Sequence, residues 1–275
     1  MWRDRLATKL GVTLTAAAAM TFAAGVSLAD HHKNDGGKSK GGDKKQADKA
    51  GGDMKDLEVE LPEAQFDGTP KDLPPGLNLD PKRVKRVENQ SKSRKPIQVP
   101  KDVKLVSRDK PVTMSAEWSI MGEPALITDG DKAAAPGSFL ELGPGKKWVQ
   151  IDLKKPYKIH AIVVWHFHQQ ARVYRDVVVQ VSSDKDFKKN VTTVFNNDSD
   201  NSLGLGAGED YEYLENNEGR LIKVDGVKGR YVRLYSKGNT SNRQNHYTEV
   251  EVFGTKAGKS TADKNAGNKT AKADK

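Results

Sequence analysis

Cysteine is absent from this sequence of 275 residues. Without thiols the chain cannot carry a disulfide framework, a cysteine nucleophile, a cysteine-ligated zinc ion or iron–sulfur cluster, or a lipidated N-terminal cysteine. Aromatic residues are also few, at 7%, and hydrophobic residues make up 35% against 30% charged. A mean hydropathy of −0.74 is too polar for one continuous fold, so part of the chain is expected to be disordered.

The formal net charge of +9 is unevenly distributed along the chain. Residues 111–254 contain 18 lysines and arginines and 19 aspartates and glutamates, so the surplus of positive charge lies in the flanking segments. We therefore expect no face built for a specific nucleic acid, although basic tails can contact polyanions or an anionic surface nonspecifically.

Residues 1–29 have the pattern of a secretory signal peptide. Basic residues at the start precede an apolar stretch over 10–24, and small residues follow over 26–29. The apolar stretch, with about 15 residues diluted by Gly and Thr, is shorter than the roughly 20 residues that a membrane-spanning helix needs. We predict cleavage after Ala29, no transmembrane span and a secreted, periplasmic or cell-surface protein. Export without cysteine favours a bacterial periplasm or exterior.

The rest of the chain divides by composition into four parts. Residues 30–56 are mostly Gly, Lys, Asp and Ala, which predicts a disordered linker. Residues 57–110 mix apolar residues with many prolines, and because dense proline blocks helices and central strands, we predict an extended arm that packs on the next domain. Residues 111–254 form the predicted folded domain. The tail over 255–275 is predicted to be disordered and basic.

The segment 111–254 holds 15 of the 18 aromatic residues of the chain and nearly all of its hydrophobic periodicity. Apolar residues alternate with a period of two, which is typical of half-buried strands, and turn residues separate the segments. The predicted strands lie within 148–153, 159–167, 173–181, 230–235 and 247–253. No segment repeats apolar residues at helical spacing. The pattern predicts an all-β antiparallel sandwich or jelly roll with one core.

Five motifs in this segment carry a family resemblance. They are Ile-Thr-Asp-Gly-Asp at 127–131, Trp-Val-Gln-Ile-Asp-Leu at 148–153, Val-Val-Val-Gln-Val-Ser-Ser-Asp at 177–184, Gly-Arg-Tyr-Val-Arg-Leu at 229–234 and Thr-Glu-Val-Glu-Val-Phe-Gly at 248–254. In this order they resemble the discoidin, or coagulation-factor C-type, jelly roll, also called the galactose-binding-like fold. The histidine- and asparagine-rich segments further resemble a secreted discoidin-type subgroup of planctomycete-like bacteria.

The resemblance implies a noncatalytic module that binds glycans, lipid head groups or proteins through loops at one end, often beside a structural calcium ion. Asp129 and Asp131 flank a glycine in a loop that could supply calcium with oxygen ligands, and the resemblance adds Glu249 on the last strand. Similar modules often carry Thr or Ser where this chain has Ala134, so the nearest hydroxyl is that of Ser138. The alternative is that the two aspartates only form Asx turns.

A second acidic loop follows the predicted strand over 173–181. Asp198, Asp200 and Glu209 have the spacing of calcium ligands in an EF-hand loop, but Leu203 occupies the position where that loop needs glycine,. The loop is therefore not an EF-hand. It is a candidate site for a second cation, and the alternative is an Asp- and Asn-rich turn held by local hydrogen bonds.

The histidines define the candidate ligand-binding face. On an extended strand, His160, His166 and His168 point to one side and Trp165 points to the core. If the family topology holds, the loop after this strand meets the Asn-rich loop before the last strand. The predicted ligand-binding residues are His166, His168, Arg172, Tyr174, Asn242, Arg243, Asn245 and His246. Three roles stay open for the histidines: a polar ligand-binding face, structural hydrogen bonding, or a transition-metal site.

Catalytic motifs are scarce: the sequence has neither His-Glu-x-x-His nor Gly-x-Ser-x-Gly,. We therefore predict a secreted noncatalytic module, stabilised by Ca²⁺, that binds a carbohydrate or a cell-envelope polymer. One alternative is a structural or protein-interaction module with an envelope protein as its partner. The other alternative is a metal-dependent hydrolase that uses the histidine-rich end.

Overall fold

The structure is a computed structural model that describes residues 53–64, 87–88 and 94–257. The predicted signal peptide, most of the predicted linker and most of the C-terminal tail lie outside these residues. In the part of the chain that is described, no helix is both long enough and apolar enough to cross a membrane.

Fourteen strands and one short 3-10 helix make up the regular structure of the described residues. The strands are β1 (Met54–Asp56), β2 (Val87–Glu88), β3 (Gln98–Pro100), β4 (Lys104–Leu105), β5 (Val112–Met114), β6 (Leu140–Leu142), β7 (Lys147–Trp165), β8 (Val173–Tyr174), β9 (Val178–Ser182), β10 (Val191–Asn196), β11 (Glu212–Leu214), β12 (Arg220–Ser236), β13 (Asn245–Tyr247) and β14 (Glu249–Lys256). The 3-10 helix spans Pro124–Ile127.

Seven strands form the main antiparallel sheet. Its order is β10-β9-β12-β7-β14-β4, and β5 pairs with the first half of β7. The two longest strands, β7 and β12, pair with each other along most of their length. Their pairing contains two register shifts, and such bulges bend strands. The second half of β7 pairs with β14. Two-stranded β13-β6 and three-stranded β2-β11-β8 lie outside this sheet.

The predicted strands over 148–153 and 159–167 belong to one strand, β7, which ends at Trp165. Its middle residues, 154–158, are mostly exposed, and Lys154 has a φ of 67°. This middle part still pairs with β12 through Tyr157 and Lys158. The exposed residues interrupt the period-two pattern, although the strand pairing continues through them. The sequence pattern therefore predicts two strands where the structure has one.

Two other predicted strands are each divided in the structure. The segment 173–181 forms β8 and β9, and the break falls at Asp176, whose φ of 56° turns the chain. The segment 247–253 forms β13 and β14, which are separated by Thr248. The segment 230–235 lies within β12 as predicted.

The main core lies between the main sheet and the short strands β6, β8, β11 and β13. The three tyrosines Tyr174, Tyr213 and Tyr247 on the short strands are buried in the same cluster as Ile162 and Val232 of the main sheet. All described pairings are antiparallel except that of β2 with β11. The predicted all-β antiparallel sandwich is therefore confirmed.

A second cluster covers the opposite face of the main sheet, and it draws in the segment before the sandwich. Its buried members are Val99, Val103, Ala161, Val163, Trp165 and Phe253, with Leu57, Val59, Ile97, Leu105 and Leu221 packed against them. Strand β1 pairs with β3, and the Leu57 N–H donates to the Ile97 carbonyl at 2.9 Å. The arm thus packs on the domain, and β1 forms within the stretch predicted to be a disordered linker. Likewise, β14 extends two residues into the predicted tail.

Candidate functional site

Two loops meet at one end of the sandwich: the loop over 166–172 after β7 and the loop over 237–244 before β13. The Thr240 N–H donates to the Val173 carbonyl at 3.2 Å, and the Val173 N–H donates to the Thr240 hydroxyl at 2.9 Å. We call this region the loop end, and it includes β6, β13 and the loop over 115–122. Of the predicted ligand-binding residues, the structure brings all eight to this region but buries six of them.

His166 is a structural residue of the loop end. Its Nδ1–H donates to the His246 carbonyl at 2.6 Å, so Nε2 accepts from the Tyr213 hydroxyl at 3.1 Å,. The ring stacks on Tyr174 with centroids 4.2 Å apart. Burial lowers the pKa of His166 to about 4. Because neither His166 nor Tyr174 has appreciable exposed surface, the prediction that they contact ligand is corrected: they support the loops from below.

His168 and Asn245 are buried in the same way. The His168 Nε2–H donates to the Lys132 carbonyl at 2.7 Å, and burial lowers the pKa of this histidine. The Asn245 amide donates to the carbonyls of Gly143 and Gly145, and its oxygen accepts from Ser236 and Gly238. With its four hydrogen bonds made, Asn245 has no polar atom left for a ligand. Both residues fix the loops rather than bind.

Arg172 supports the loop by stacking. Its guanidinium lies 4.2 Å above the Phe167 ring, and Nη2 donates to the Gln170 amide oxygen at 3.1 Å. Since Arg172 is 7% exposed, it presents little surface to a ligand, and removing it would take away packing as well as charge. Arg172→Ala is therefore not a clean test of binding.

His246 lies at the edge of the buried set, opposite Glu141. Its Nδ1 is 3.5 Å from the amide nitrogen of Asn239, and its Nε2 is 3.9 Å from a carboxylate oxygen of Glu141. Burial, together with the nearby charge of Arg172, lowers the pKa of His246 to about 3. The ring is therefore neutral, and no ion pair forms. Both N–H groups of the Asn239 amide already donate, to the Asn242 side-chain oxygen at 3.0 Å and to the Gln244 carbonyl at 3.2 Å, so this contact does not fix the tautomer of His246.

Asn242 and Arg243 are the predicted ligand-binding residues that reach the surface. The loop that carries them closes on itself because the Asn239 side-chain oxygen accepts from the backbone of Ser241 and Asn242. Gly238 has a φ of +85°, and a side chain there would meet the backbone of Arg243 at 3.2 Å. This compact turn holds Arg243 with its side chain exposed.

The sequence analysis missed the most exposed aromatic residue of the loop end. Trp118 is 71% exposed, and Ile120 and Met121 are exposed beside it. Their loop is fixed to β6, since the Ile120 N–H donates to the Glu141 carbonyl and the Glu141 N–H donates to the Met121 carbonyl, both at 2.8 Å. Glu141 in turn pairs with His246. The only signal in the sequence is a run of large apolar residues outside any period-two segment, and such a run is equally compatible with a core.

The Asp129 loop makes the Asx turns that were the alternative to calcium. The Asp129 carboxylate accepts from the Asp131 N–H at 2.8 Å, and the Asp131 carboxylate accepts from the Ala133 N–H at 2.9 Å. The Ser138 hydroxyl donates to the Ala135 carbonyl at 3.1 Å. The backbone of this loop thus uses an oxygen of each aspartate and the hydroxyl of Ser138.

Glu249 nevertheless connects β14 to the Asp129 loop. One of its carboxylate oxygens accepts from the Gly130 N–H at 3.0 Å, while the other is buried with no hydrogen-bond partner among the described residues. Burial raises the pKa of Glu249 to about 8. A buried carboxylate oxygen without a partner is a group that a cation would stabilise.

Two basic side chains already lie at this loop. The Arg108 guanidinium packs against Gly130 and donates to the Asp129 carbonyl at 2.7 Å. Lys132 forms a buried ion pair with Glu251 at 2.8 Å. The local charge is therefore partly balanced by the protein itself.

The second acidic loop brings together a set that differs from the predicted one. Carboxylate oxygens of Asp176, Asp198 and Asp200 lie within 4.8 Å of one another, whereas Glu209 is exposed and is not part of this group. The buried Asp198 carboxylate accepts from the backbone of Ser202 at 2.9 Å and of Leu203 at 2.8 Å. Burial raises the pKa of Asp198. Local hydrogen bonds account for the geometry of the loop, and cation binding there stays a prediction.

The histidines do not converge as metal ligands. Within the described ranges, the group of three or more acidic or imidazole side chains close enough to share an ion contains aspartates only. His166 and His168 direct ring nitrogens at carbonyl oxygens instead. Among the described residues, the transition-metal role, and with it the alternative of a metal-dependent hydrolase, therefore lacks its ligand set.

A family model matches the β-sandwich of this chain. The family model for the F5/8 type C domain matches residues 111–250, about half of the chain, and the chain belongs to this family. The resemblance to the discoidin family is thereby confirmed. Among curated proteins, none matches the sequence.

Several solved structures are similar to this chain at low identity. A family 89 glycoside hydrolase from Clostridium perfringens is 19% identical with a TM-score of 0.42, and the match covers 57% of this chain but 15% of the enzyme. The CBM32 of AlyQ, in complex with 4,5-unsaturated mannuronic acid, is 19% identical over 53% of this chain and 96% of its own, with a TM-score of 0.39. A fucose binding module from Streptococcus pneumoniae is 16% identical over 56% and 99%, with a TM-score of 0.39.

Proposed function

We propose that this chain is a secreted, noncatalytic carbohydrate-binding module whose loop end recognises a glycan or a cell-envelope polymer. The observation that carries the proposal is the exposed ring of Trp118, held by its loop on the strand of Glu141. An exposed tryptophan beside fixed polar groups matches the chemistry of a sugar, which has apolar C–H faces and a rim of hydroxyls.

Each group at the loop end has a defined role in this proposal. The Trp118 ring stacks on the C–H face of a sugar. Arg243 offers a planar fork of donors to adjacent hydroxyls, and the Asn242 amide nitrogen can donate, since its oxygen already accepts from Asn239 and Gln244,. The Glu141 carboxylate, 3.9 Å from Nε2 of the neutral His246, accepts a hydrogen bond from a sugar hydroxyl. Tyr174, which was predicted as a stacking face, is replaced in this role by Trp118 because Tyr174 is buried.

The site is shallow, so affinity for one sugar unit is expected to be weak. Each polar contact replaces one with water, and a monovalent dissociation constant of about 10 µM to 1 mM is expected. Retention on a repeated polymer would then depend on several weak contacts acting together. An envelope protein as the partner is the second candidate, since Trp118, Ile120 and Met121 also form an exposed apolar group.

The test is a glycan and polysaccharide array with the full chain, followed by calorimetry on the best ligand. Trp118→Ala should weaken binding by about tenfold or more, because it removes the stacking face. Arg243→Ala should weaken it in the same assay. Tyr211→Ala is the matched control, since Tyr211 is also exposed, at 55%, but belongs to the segment before β11. Binding that survives both loop-end variants, or an array without any bound glycan, would contradict the proposal.

A structural calcium ion at the Asp129 loop is the second part of the proposal. The buried Glu249 oxygen without a partner supports it, and Asp129 and Asp131 would complete the ligands with oxygens of their loop. The ion would fix the loop that adjoins the loop end. Ser138 stays a candidate ligand, because its hydroxyl donates to the Ala135 carbonyl and keeps its oxygen lone pairs for a cation.

Calcium should raise the midpoint of thermal unfolding of the wild type, and chelator should reverse the rise. Glu249→Gln should abolish this response while leaving the fold intact, since a neutral amide resembles the protonated carboxyl that a pKa of about 8 favours at pH 7,. Asp198→Asn is the control for the other acidic loop. If Glu249→Gln retains the full calcium response, the ion does not bind at the Asp129 loop.

A further inference from the structure

A basic cleft lies at the β4 edge of the main sheet, and we call it the edge cleft. It has a volume of about 530 Å³. Four basic residues line it, Lys104, Arg108, Lys110 and Lys256, against one acidic residue, Asp102. Such an excess of one sign in a concave site concentrates counter-ions of the opposite sign.

The positive charge of the edge cleft comes from segments outside the nearly neutral stretch 111–254. Three of its basic residues precede that stretch, and Lys256 follows it. Pairing of β4 with β14 joins the two sides, since Lys104 pairs with Gly254, two residues before Lys256. The fold thus gathers flanking charge that a count along the chain shows only as separate basic segments.

The two lysines at this strand edge are available to a ligand. Lys104 and Lys256 are exposed, and neither forms an ion pair with any residue that the structure describes. Arg108 is partly engaged, because it donates to the Asp129 carbonyl and lies 3.8 Å from Glu251. The Lys110 ammonium donates to the Arg108 carbonyl at 3.3 Å, a bond that leaves its charge without an acidic partner.

We propose that the edge cleft binds an acidic polysaccharide through its uronate or sulfate groups. The half-buried Tyr157 lines the cleft and adds an aromatic surface for sugar C–H groups, which a purely phosphate-binding surface would not need. The concave shape accepts a single chain, whereas a flat bilayer surface cannot enter it. Lys104 and Lys256 supply charge to the anionic groups along the polymer.

The edge cleft is separate from the loop end, because no residue of the loop end lines it. A result against the edge cleft can therefore be distinguished from a result against the proposed glycan site. Trp118→Ala should leave binding at the edge cleft unchanged, and loss of the edge cleft should leave binding of neutral sugars unchanged.

The experiment is affinity electrophoresis of the full chain in gels that contain polygalacturonate, with neutral dextran as the reference. The Lys104→Glu/Lys256→Glu double variant should bind polygalacturonate about tenfold more weakly than the wild type, and added salt should weaken wild-type binding. The matched control is Lys185→Glu/Lys188→Glu, which makes the same change in net charge at two exposed lysines between β9 and β10, at the opposite edge of the main sheet. It should stay within about twofold of the wild type.

Several results would overturn the proposal. Equal loss in the two double variants would mean that net charge and the basic tail explain retention. Equal retention in neutral dextran would exclude recognition of acidic groups. Stronger, lysine-dependent binding to phosphatidylglycerol vesicles or to single-stranded DNA would assign the edge cleft to another partner. Lys104→Gln/Lys256→Gln, checked by circular dichroism, separates loss of charge from loss of folding and should also weaken binding.

Discussion

Buried polar residues of the loop end form a support for the exposed ones. His166 and Asn245 make hydrogen bonds with their polar side-chain atoms inside the protein, and a buried polar group that loses its partner destabilises the fold. Trp118 and Arg243 stand outside this support. Substitutions in the first pair should therefore change stability, whereas substitutions in the second pair should change binding.

The pH dependence of stability provides a test of the buried state of His166. Its ring faces Tyr174, Tyr213 and Tyr247, and burial raises the pKa of all three tyrosines. An unfolded histidine takes up a proton near pH 6.5, but the folded one does so only near pH 4. The stability that depends on neutral His166 is therefore complete above pH 6.5 and is lost as the pH falls towards 4.

The free energy of unfolding of the wild type, relative to His166→Gln, should decrease by about 3 kcal/mol between pH 6.5 and pH 4. Urea unfolding at several pH values measures this difference. The comparison is with a variant because burial also raises the pKa of Glu215 and Glu249, and these carboxyls stabilise the folded state as the pH falls. His160→Gln, at a half-exposed site, should show a smaller difference. Parallel pH profiles for wild type and His166→Gln would argue against a buried neutral ring.

At the scale of elements, the arm covers the outer face of the main sheet. Without β1 and β3, the outer face of the main sheet would expose Trp165 and its apolar neighbours. The arm also makes polar contacts, since the Lys132 ammonium donates to the Glu60 carbonyl at 2.8 Å and the Asn217 amide donates to the Pro62 carbonyl at 3.1 Å. The stable unit therefore begins well before residue 111, where the family match starts.

Truncation tests this role of the arm. A chain that begins at residue 65 loses the half-buried Leu57 and Val59, and its free energy of unfolding should fall by about 2 kcal/mol. Binding of a dye that reports exposed apolar surface should rise. A chain that begins at residue 50 keeps β1 and serves as the control. Equal stability of the two truncated chains would mean that the contacts of 53–64 contribute little.

At the scale of the whole molecule, two separate surfaces are proposed on one sandwich: a loop end suited to neutral hydroxyls and an edge cleft suited to acidic groups. The basic residues of the edge cleft give it a long-range attraction for polyanions that salt would screen. Two weak sites on one chain would also hold a polymer more firmly than either site alone.

Export is a property of the whole chain as well. If residues 1–29 act as a signal peptide, the protein recovered outside the cytoplasm of an expressing bacterium should begin at Asp30, as N-terminal sequencing would show. Replacing the basic residues Arg3 and Arg5 with Glu should reduce export, because the positive start of a signal peptide is then lost. Full-length protein with an intact Met1, found only in the cytoplasm, would contradict the proposed localisation.

The sequence by itself located four strands of the main sheet and identified the family. Alternation of apolar residues locates β7, β9, β12 and β14 because side chains of a strand alternate between two faces, and the order of the motifs identifies the family. It also located the loops that meet at the loop end. It could not divide the segment 173–181 at Asp176, since a turn formed by one residue leaves the alternation almost unchanged.

Only the tertiary structure decided which polar residues are buried and which surfaces stay open. Polar side chains such as those of His166, Arg172 and Asn245 are typical of binding sites. In the structure they are buried by contacts with other parts of the protein. Trp118 is of a residue type that is common in protein cores, yet no other part of the described chain covers it. The edge cleft likewise arises where β4 and β14 pair. Periodicity reports neighbours along one strand, whereas burial depends on what packs against it from elsewhere in the chain.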